Sequence, residues 1–340
     1  MQSHAPGSVP MMTLGLNGPK VSLLGLGCMG MSPGIYGPVD ETAAVDTIRA
    51  ALDAGVTVID TGDFYGMGHN EMLIARALAG QRERAFISVK FGALRDPSGG
   101  WGGTDNRPQA MKNFLAYTLR RLGTDYIDLY RPARLDPIVP IEDTVGAIAD
   151  MVRAGYVRYV GLSEVGLDTV RRAHAVHPIA DLQIEYSLMS RGIEANILPG
   201  LRRLGIGVTA YGVLSRGLLS GRVPQTASKG DLRAIRMPRF QLGNLEKNLH
   251  LVDALRQIAE EKDATPAQLA IAWVRSRGDD IMPLVGARKR DQLDEALGAL
   301  ELQLDAKDLA RIEAAVPAGS VAGERYDSAQ MAHLDSEKRT

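Results

Sequence analysis

One unit recurs along this chain and sets what it can fold into: an amphipathic helix of period 3.6 closes on an apolar residue and a glycine, and a short apolar strand follows. It occurs at Ala54-Gly55 before Val56–Asp60, Leu122-Gly123 before Tyr126–Tyr130, Ala154-Gly155 before Val157–Ser163, and Leu204-Gly205 before Val208–Tyr211. Glycine suits the left-handed residue that ends a helix, so each junction has a physical cause. Further strands are expected at Val21–Gly27, Ala85–Lys90, Asp181–Tyr186 and Ile281–Val285, for eight in all. Strands of four to seven mostly apolar residues, covered by helices throughout, imply a parallel sheet buried on both faces. Eight such strands in about 300 residues favour a closed (β/α)8 TIM barrel over a doubly wound sheet.

The flanks decorate that α/β core. Residues 1–10 read as an unstructured lead-in, and Met11–Leu16 and Val21–Leu26 flank Asn17-Gly18, the signature of an N-terminal β-hairpin. Gly25-Leu26-Gly27-Cys28-Met29-Gly30 is glycine-rich, but Ser32-Pro33-Gly34 stands where a dinucleotide-binding turn needs a helix N-terminus. Two long stretches, Phe91–Arg107 and Gly212–Asn244, leave C-terminal strand ends, the face on which barrel enzymes carry their chemistry. Glu246–Lys262 and Pro266–Arg277 read as helices, the second with Thr265 as N-cap and Pro266 in its first turn. A single barrel domain over 1–340, with its core at about 15–316 and a polar, irregular tail over 318–340, is the expected organisation.

The candidate chemistry begins at Val56–Gly66. An aspartate, Asp60, ends an apolar strand, and Tyr65 follows in a glycine-bounded loop. A buried carboxylate there is costly without a cation, and Lys90 ends the next strand. Carboxylate, ammonium and phenol at neighbouring strand ends predict a phenol of lowered pKa that donates a proton. The 39 Lys and Arg against 40 Asp and Glu give no electrostatic case for nucleic acid or an acidic membrane surface. One cysteine excludes an intrachain disulfide framework, and no apolar run approaches the roughly 20 residues of a membrane span. Met1–Pro6 lacks a signal-peptide layout, so a cytoplasmic protein is expected.

The ordered wording around these residues closely resembles the aldo-keto reductases. It covers Ile59–Gly66, Gly25–Gly30, Gly161-Leu162-Ser163-Glu164, Gln183–Ser187, Tyr211–Gly221 and Pro283–Arg288, nearly the whole chain from about Gly15 to Val316. The resemblance implies reduction of a small-molecule aldehyde or ketone with hydride from NADPH, NADH being the weaker candidate. It makes Tyr65 the general acid, Lys90 the group that lowers its pKa, and Asp60 the partner of that lysine. For the cofactor it implies Gly27, Cys28 and Met29 at the first strand end, Ser163, Glu164 and Gln183 at the carboxamide, and Tyr211 stacked on the ring. Leu214, Gly217 and Leu219 would meet the pyrophosphate, Arg288 at the start of the last helix after Gly286 the 2′-phosphate, and Gln292 and Glu295 the adenine. Glu164 stands where the family more often has Asn, and a carboxylate can only accept from the carboxamide. Ala296 replaces a usual Asn. Cys28 reads as a packing residue, since no histidine or second cysteine stands at metal or nucleophile spacing, and no metal is expected.

One departure is chemical. The family usually has a histidine where Tyr130-Arg131-Pro132-Ala133-Arg134-Leu135-Asp136-Pro137 places Ala133, and the retained Asp136-Pro137 spacing leaves no gap to rescue it. A positioned acid–base group contributes typically ~10²–10⁴ in rate. Open outcomes are a slower reductase, substitution by water or Arg131, or a site widened for a bulky substrate. Of the six histidines, His69 lies nearest to Tyr65 in sequence. Trp101 could line the substrate pocket. Two other uses stay open: a bias to alcohol oxidation or a bulky ketone, and a vestigial NADPH-binding sensor or partner subunit. The sequence gives no oligomeric state.

Overall fold

A computed structural model describes residues 9–34, 36–221, 233–241 and 243–338. The strands are β1 (Met11–Thr13), β2 (Lys20–Ser22), β3 (Gly25–Gly27), β4 (Val58–Gly62), β5 (Phe86–Phe91), β6 (Ala93–Arg95), β7 (Trp101–Thr104), β8 (Ile127–Pro132), β9 (Val157–Ser163), β10 (Ile179–Glu185), β11 (Gly207–Tyr211) and β12 (Ile281–Gly286). The helices are α1 (Glu41–Asp53), α2 (His69–Ala77), α3 (Pro108–Leu122), α4 (Ile141–Arg153), α5 (Leu167–Val176), α6 (Ile197–Leu204), α7 (Arg233–Arg236), α8 (Asn244–Glu261), α9 (Pro266–Ser276), α10 (Arg290–Gly298), α11 (Ala306–Ala315) and α12 (Ser328–Ala332).

Strands β3, β4, β5, β8, β9, β10, β11 and β12 close in that order into a parallel barrel, a TIM barrel. The helix-ending glycines behave as their positions require: Gly55, Gly123, Gly155 and Gly205 all have φ between 63° and 91°. Helix α9 starts as read, with a reciprocal capping box between Thr265 and Gln268. The run Val21–Leu26 is divided between two jobs: β2 pairs antiparallel with β1, and β3 joins the barrel. Phe91–Arg107 is less irregular than its composition suggests, because β6 and β7 form an antiparallel hairpin over the barrel mouth.

The interior near the mouth is polar. The register sets Gly62 beside Lys90 and Lys90 beside Arg131, which turns these strand ends toward one another. Ser88 Oγ and Gln183 Nε2 donate to Asp60 Oδ2, each at 2.8 Å. Arg131 Nη2 lies 3.1 Å from both Ser88 Oγ and Asp181 Oδ2, and Thr209 Oγ1 donates to Asp181 at 2.5 Å. Room for Arg131 comes from Gly161, where a Cβ would stand 2.4 Å from Asp181 Oδ1 and 3.2 Å from Arg131 Nε. Arg131 is therefore part of the barrel's internal bracing, 1% exposed.

The polar tail has little regular structure beyond α12 and a 3-10 turn at Asp335–Glu337. Residues 317–338 cross the mouth and dock there. Asn248 and Ala322 exchange two hydrogen bonds of 2.9 Å, Asp335 Oδ2 accepts from Gly166 N and Thr169 Oγ1, and Leu334 is buried. The tail's polar groups are satisfied by partners distant in sequence.

Candidate active site

Asp60 and Lys90 meet as expected: Lys90 Nζ lies 2.5 Å from Asp60 Oδ1, and both side chains are buried. Tyr65 starts a short turn after β4, Tyr65–Gly68, and its ring packs edge-on against Phe64 at 4.8 Å between centroids. Lys90 Nζ lies over the face of the Tyr65 ring, 5.1 Å from the centroid. Burial and the Asp60 carboxylate push the Tyr65 phenol well above its ordinary value. This differs from the lowered pKa read from the sequence. The ammonium faces the ring and is bonded to Asp60, and the cation that draws the phenol down is Arg134. Burial, more than its neighbours, lowers Lys90.

Ala133 is buried, with its amide donating to Phe91 O at 2.8 Å. Arg131, named as a substitute for the absent histidine, is committed below to Ser88 and Asp181, so it does not take that place. His69 is also committed, Nδ1 to Ser32 Oγ at 2.9 Å and Nε2 to Glu41 Oε1 at 3.0 Å. Trp101 is 47% exposed on β7. From the same hairpin, Arg95 sits 5.6 Å above the Phe64 ring and is the side chain nearer the chemistry.

The candidate cofactor residues divide. Ser163, Gln183 and Tyr211 lie on adjacent strands β9, β10 and β11, at or near their C-terminal ends. Gln183 gives its amide to Asp60, which turns its carbonyl oxygen into the end that can accept from a carboxamide. These three fit the nicotinamide end of a dinucleotide. Gly27 ends β3, Cys28 is buried and receives Asn70 on its carbonyl, and Met29 opens the following turn. Burial pushes the Cys28 thiol far up, consistent with packing.

Further round, the fit is less direct. Gly217 N and Leu219 N both donate to Leu214 O, at 2.9 and 3.1 Å, so these amides are engaged within their own turn. Ser215, Arg216 and Gly217 all have positive φ, which marks a constrained loop. Gly286 ends β12, and α10 starts at Arg290, so Arg288 precedes the helix instead of opening it. Arg288 donates through Nη1 to Tyr36 O at 3.1 Å, and its amide is received by Gln292 Oε1 at 2.8 Å. Glu295 lies on α10.

Glu164 has a partner that the sequence reading missed. Arg325, from the docked tail, grips it with both arms: Nη1 to Oε1 at 2.9 Å and Nη2 to Oε2 at 2.6 Å. Ser336 Oγ and Tyr211 Oη also donate to it, at 2.8 and 2.6 Å. Although burial opposes the charge, Arg325 holds this carboxyl down at about 2. Glu164 is thus a tail anchor in this structure. Tyr326, the next residue, hydrogen-bonds Tyr211 Oη at 2.8 Å and lies under Arg216, 4.4 Å from its ring centre. A glutamate at 164 and an arginine at 325 are complementary in charge, but nothing local in the sequence links residues 161 apart.

Comparison with known proteins gives the family. The model of the Aldo/keto reductase family matches residues 23–317. This chain belongs to the aldo/keto reductase family. It is 43% identical over 318 residues to "Probable aldo-keto reductase 1" of Glycine max, covering 92% of this chain and 90% of that protein. Among solved structures it resembles the glycerol dehydrogenase of Gluconobacter oxydans, with 28% identity, a TM-score of 0.80, and coverage of 100% and 98% of the two chains. An aldo-keto reductase of Bacillus halodurans, solved in its holo form, gives 27% identity and a TM-score of 0.76 over 92% and 97%. As an aldo-keto reductase the chain is an oxidoreductase. Among the described residues no helix is long and apolar enough to cross a membrane.

Proposed function

We propose that this aldo-keto reductase reduces the carbonyl of a small aldehyde or ketone, using NADPH, with Tyr65 as the proton donor. The observation that carries the reading is the buried Asp60–Lys90 pair beneath the Tyr65 ring. A pure binding protein gains nothing from burying an ammonium against a phenol.

The residues divide the labour as follows. Ser163 and Gln183 orient the carboxamide, and Tyr211 offers a flat ring at the neighbouring strand end. When bound, the reduced nicotinamide supplies hydride to the carbonyl carbon. Tyr65 delivers its proton to the oxygen as negative charge gathers there, which a high phenol pKa permits once that oxygen is the stronger base. Lys90, easier to deprotonate than a free lysine, stabilises the phenolate that remains. Asp60 keeps Lys90 in place. Arg288 is the nearest match to a 2′-phosphate ligand, on its cation and its place after β12.

A second reading, alcohol oxidation, uses the same residues in reverse. It draws on the likeness to a glycerol dehydrogenase. Turnover is measured in both directions against aldehydes, ketones and polyols, with Tyr65→Phe alongside. Carbonyl-dependent NADPH oxidation that disappears in Tyr65→Phe, with cofactor affinity retained, is the expected result. Tight cofactor binding without tyrosine-dependent turnover in either direction would instead select a sensor.

A further inference from the structure

Four guanidiniums at the mouth and in the interior are matched to carboxylates: Arg131 to Asp181, Arg216 and Arg239 to Glu185, and Arg325 to Glu164. Arg134 is not. Among the described residues no carboxylate stands within ion-pair distance of it, and its one hydrogen bond runs from Nη1 to Ala133 O at 2.6 Å. A guanidinium carries five N–H donors, so most of its capacity is unspent. The side chain is half-buried; burial opposes its charge, while the nearby phenols and the Glu164 carboxylate, beyond ion-pair distance, hold it charged without taking its N–H donors.

The backbone beneath Arg134 is fixed. Ala133 N donates to Phe91 O, Asn106 Nδ2 donates to Arg134 O at 2.8 Å, and Asp136 Oδ2 accepts from Asn106 N at 2.9 Å. The side chain reaches inward from that support. Its guanidinium lies 6.0 Å from the Tyr326 ring, and its charge acts on Tyr65, Tyr211 and Glu164. The groups around it are thus an acid, a ring expected against the nicotinamide, a tail tyrosine, and the Glu164 carboxylate that Arg325 already occupies.

We propose that Arg134 donates a hydrogen bond to the reacting carbonyl oxygen, the role that Ala133 leaves vacant. The proposal rests on the reductase reading. Hydride adds to the carbonyl carbon, the carbon–oxygen π pair moves onto oxygen, and Tyr65 gives that oxygen its proton. Arg134 loses no proton in the cycle. It stabilises the developing charge in place, as a fixed donor does in an oxyanion hole. A guanidinium also stays charged across neutral pH, whereas a histidine changes state near 6.5.

The test compares Arg134→Ala and Arg134→Lys with wild type in single-turnover reduction and in equilibrium binding of benzoate to the NADP⁺ complex. Benzoate is the probe because its carboxylate mimics the oxyanion. Arg134→Ala is expected to slow the hydride step by about 10²-fold or more while NADPH affinity changes little. Benzoate affinity falls at least tenfold, Arg134→Lys lies between, and added guanidinium partly restores Arg134→Ala. A hydride step within about threefold of wild type, or a loss confined to cofactor binding, overturns the assignment. Should wild type turn over no carbonyl, benzoate still decides: Arg134-dependent binding supports the donor role, and Arg134-independent binding rejects it.

Discussion

Removing Arg325 tests whether the docked tail is held by one buried ion pair. Glu164 is inaccessible to solvent, and its carboxyl is held at about 2 against an ordinary 4.5. That difference corresponds to roughly 3 kcal/mol favouring the charged, paired form. It agrees with the ~3–5 kcal/mol that stripping one partner from a buried pair costs. In Arg325→Ala, Glu164 keeps donors from Tyr211 and Ser336 but loses its counter-charge, and Glu337 loses the same guanidinium. The segment therefore opens locally instead of carrying the whole barrel with it, and local opening by about 3 kcal/mol multiplies exchange roughly 100-fold. Hydrogen exchange over 317–338, with limited proteolysis as a second readout, is the assay. Protection is expected to fall there, with the barrel strands unchanged. The pH sign follows from the depressed carboxyl: its contribution is full above about 4.5 and is lost as pH falls toward about 2. Wild type should thus lose tail protection in that window, and Arg325→Ala should show a smaller dependence. Unchanged exchange over 317–338 in Arg325→Ala would refute the anchor.

Arg288→Ala is expected to weaken NADPH binding about 10–100-fold and NADH far less, measured by fluorescence titration; equal losses place the 2′-phosphate elsewhere. Arg131→Met leaves Asp181 buried without its cation, a loss of roughly 3–5 kcal/mol in denaturant unfolding. Arg131→Met with Asp181→Leu should recover much of it, and failure to recover would show that the charge is not the cause. Ala133→His should raise the rate on simple aldehydes if the donor position limits turnover. Because the alanine methyl is buried, its thermal stability is measured alongside to separate a crowded side chain from an unhelpful one.

The barrel was legible because its signals are local. A glycine that ends a helix, and an apolar strand a few residues later, need no distant partner to be recognised, and all four glycines so identified have positive φ. Asp60 and Lys90 were legible for a related reason. A charge at the end of an apolar strand asks for a counter-charge, and β5, the next strand, supplies it at the paired register of Gly62 and Lys90. The sign of the Tyr65 shift was not legible, because it is set first by burial of the phenol and then by the Asp60 carboxylate, which outweigh the neighbouring cation. Strand spacing fixes the neighbours and leaves the burial of the phenol undetermined.

What the sequence does not show is the partner of Glu164 and of Arg131, because both partners are far away in the chain. Glu164 was assigned to the cofactor because its neighbours in the chain match that use, while its strongest contact is with Arg325. Arg131 and Arg134 are three residues apart and of one type, yet the first braces the barrel against Asp181 and the second faces the mouth without a carboxylate. The distinction is made by Gly161, whose missing side chain leaves Arg131 its place, and by Pro132 ending β8 before Arg134. An arginine inside the strand must find its counter-charge within the barrel. One just past the strand end is presented to whatever enters, which is why the replacement for the absent histidine is sought at 134 and not at 131.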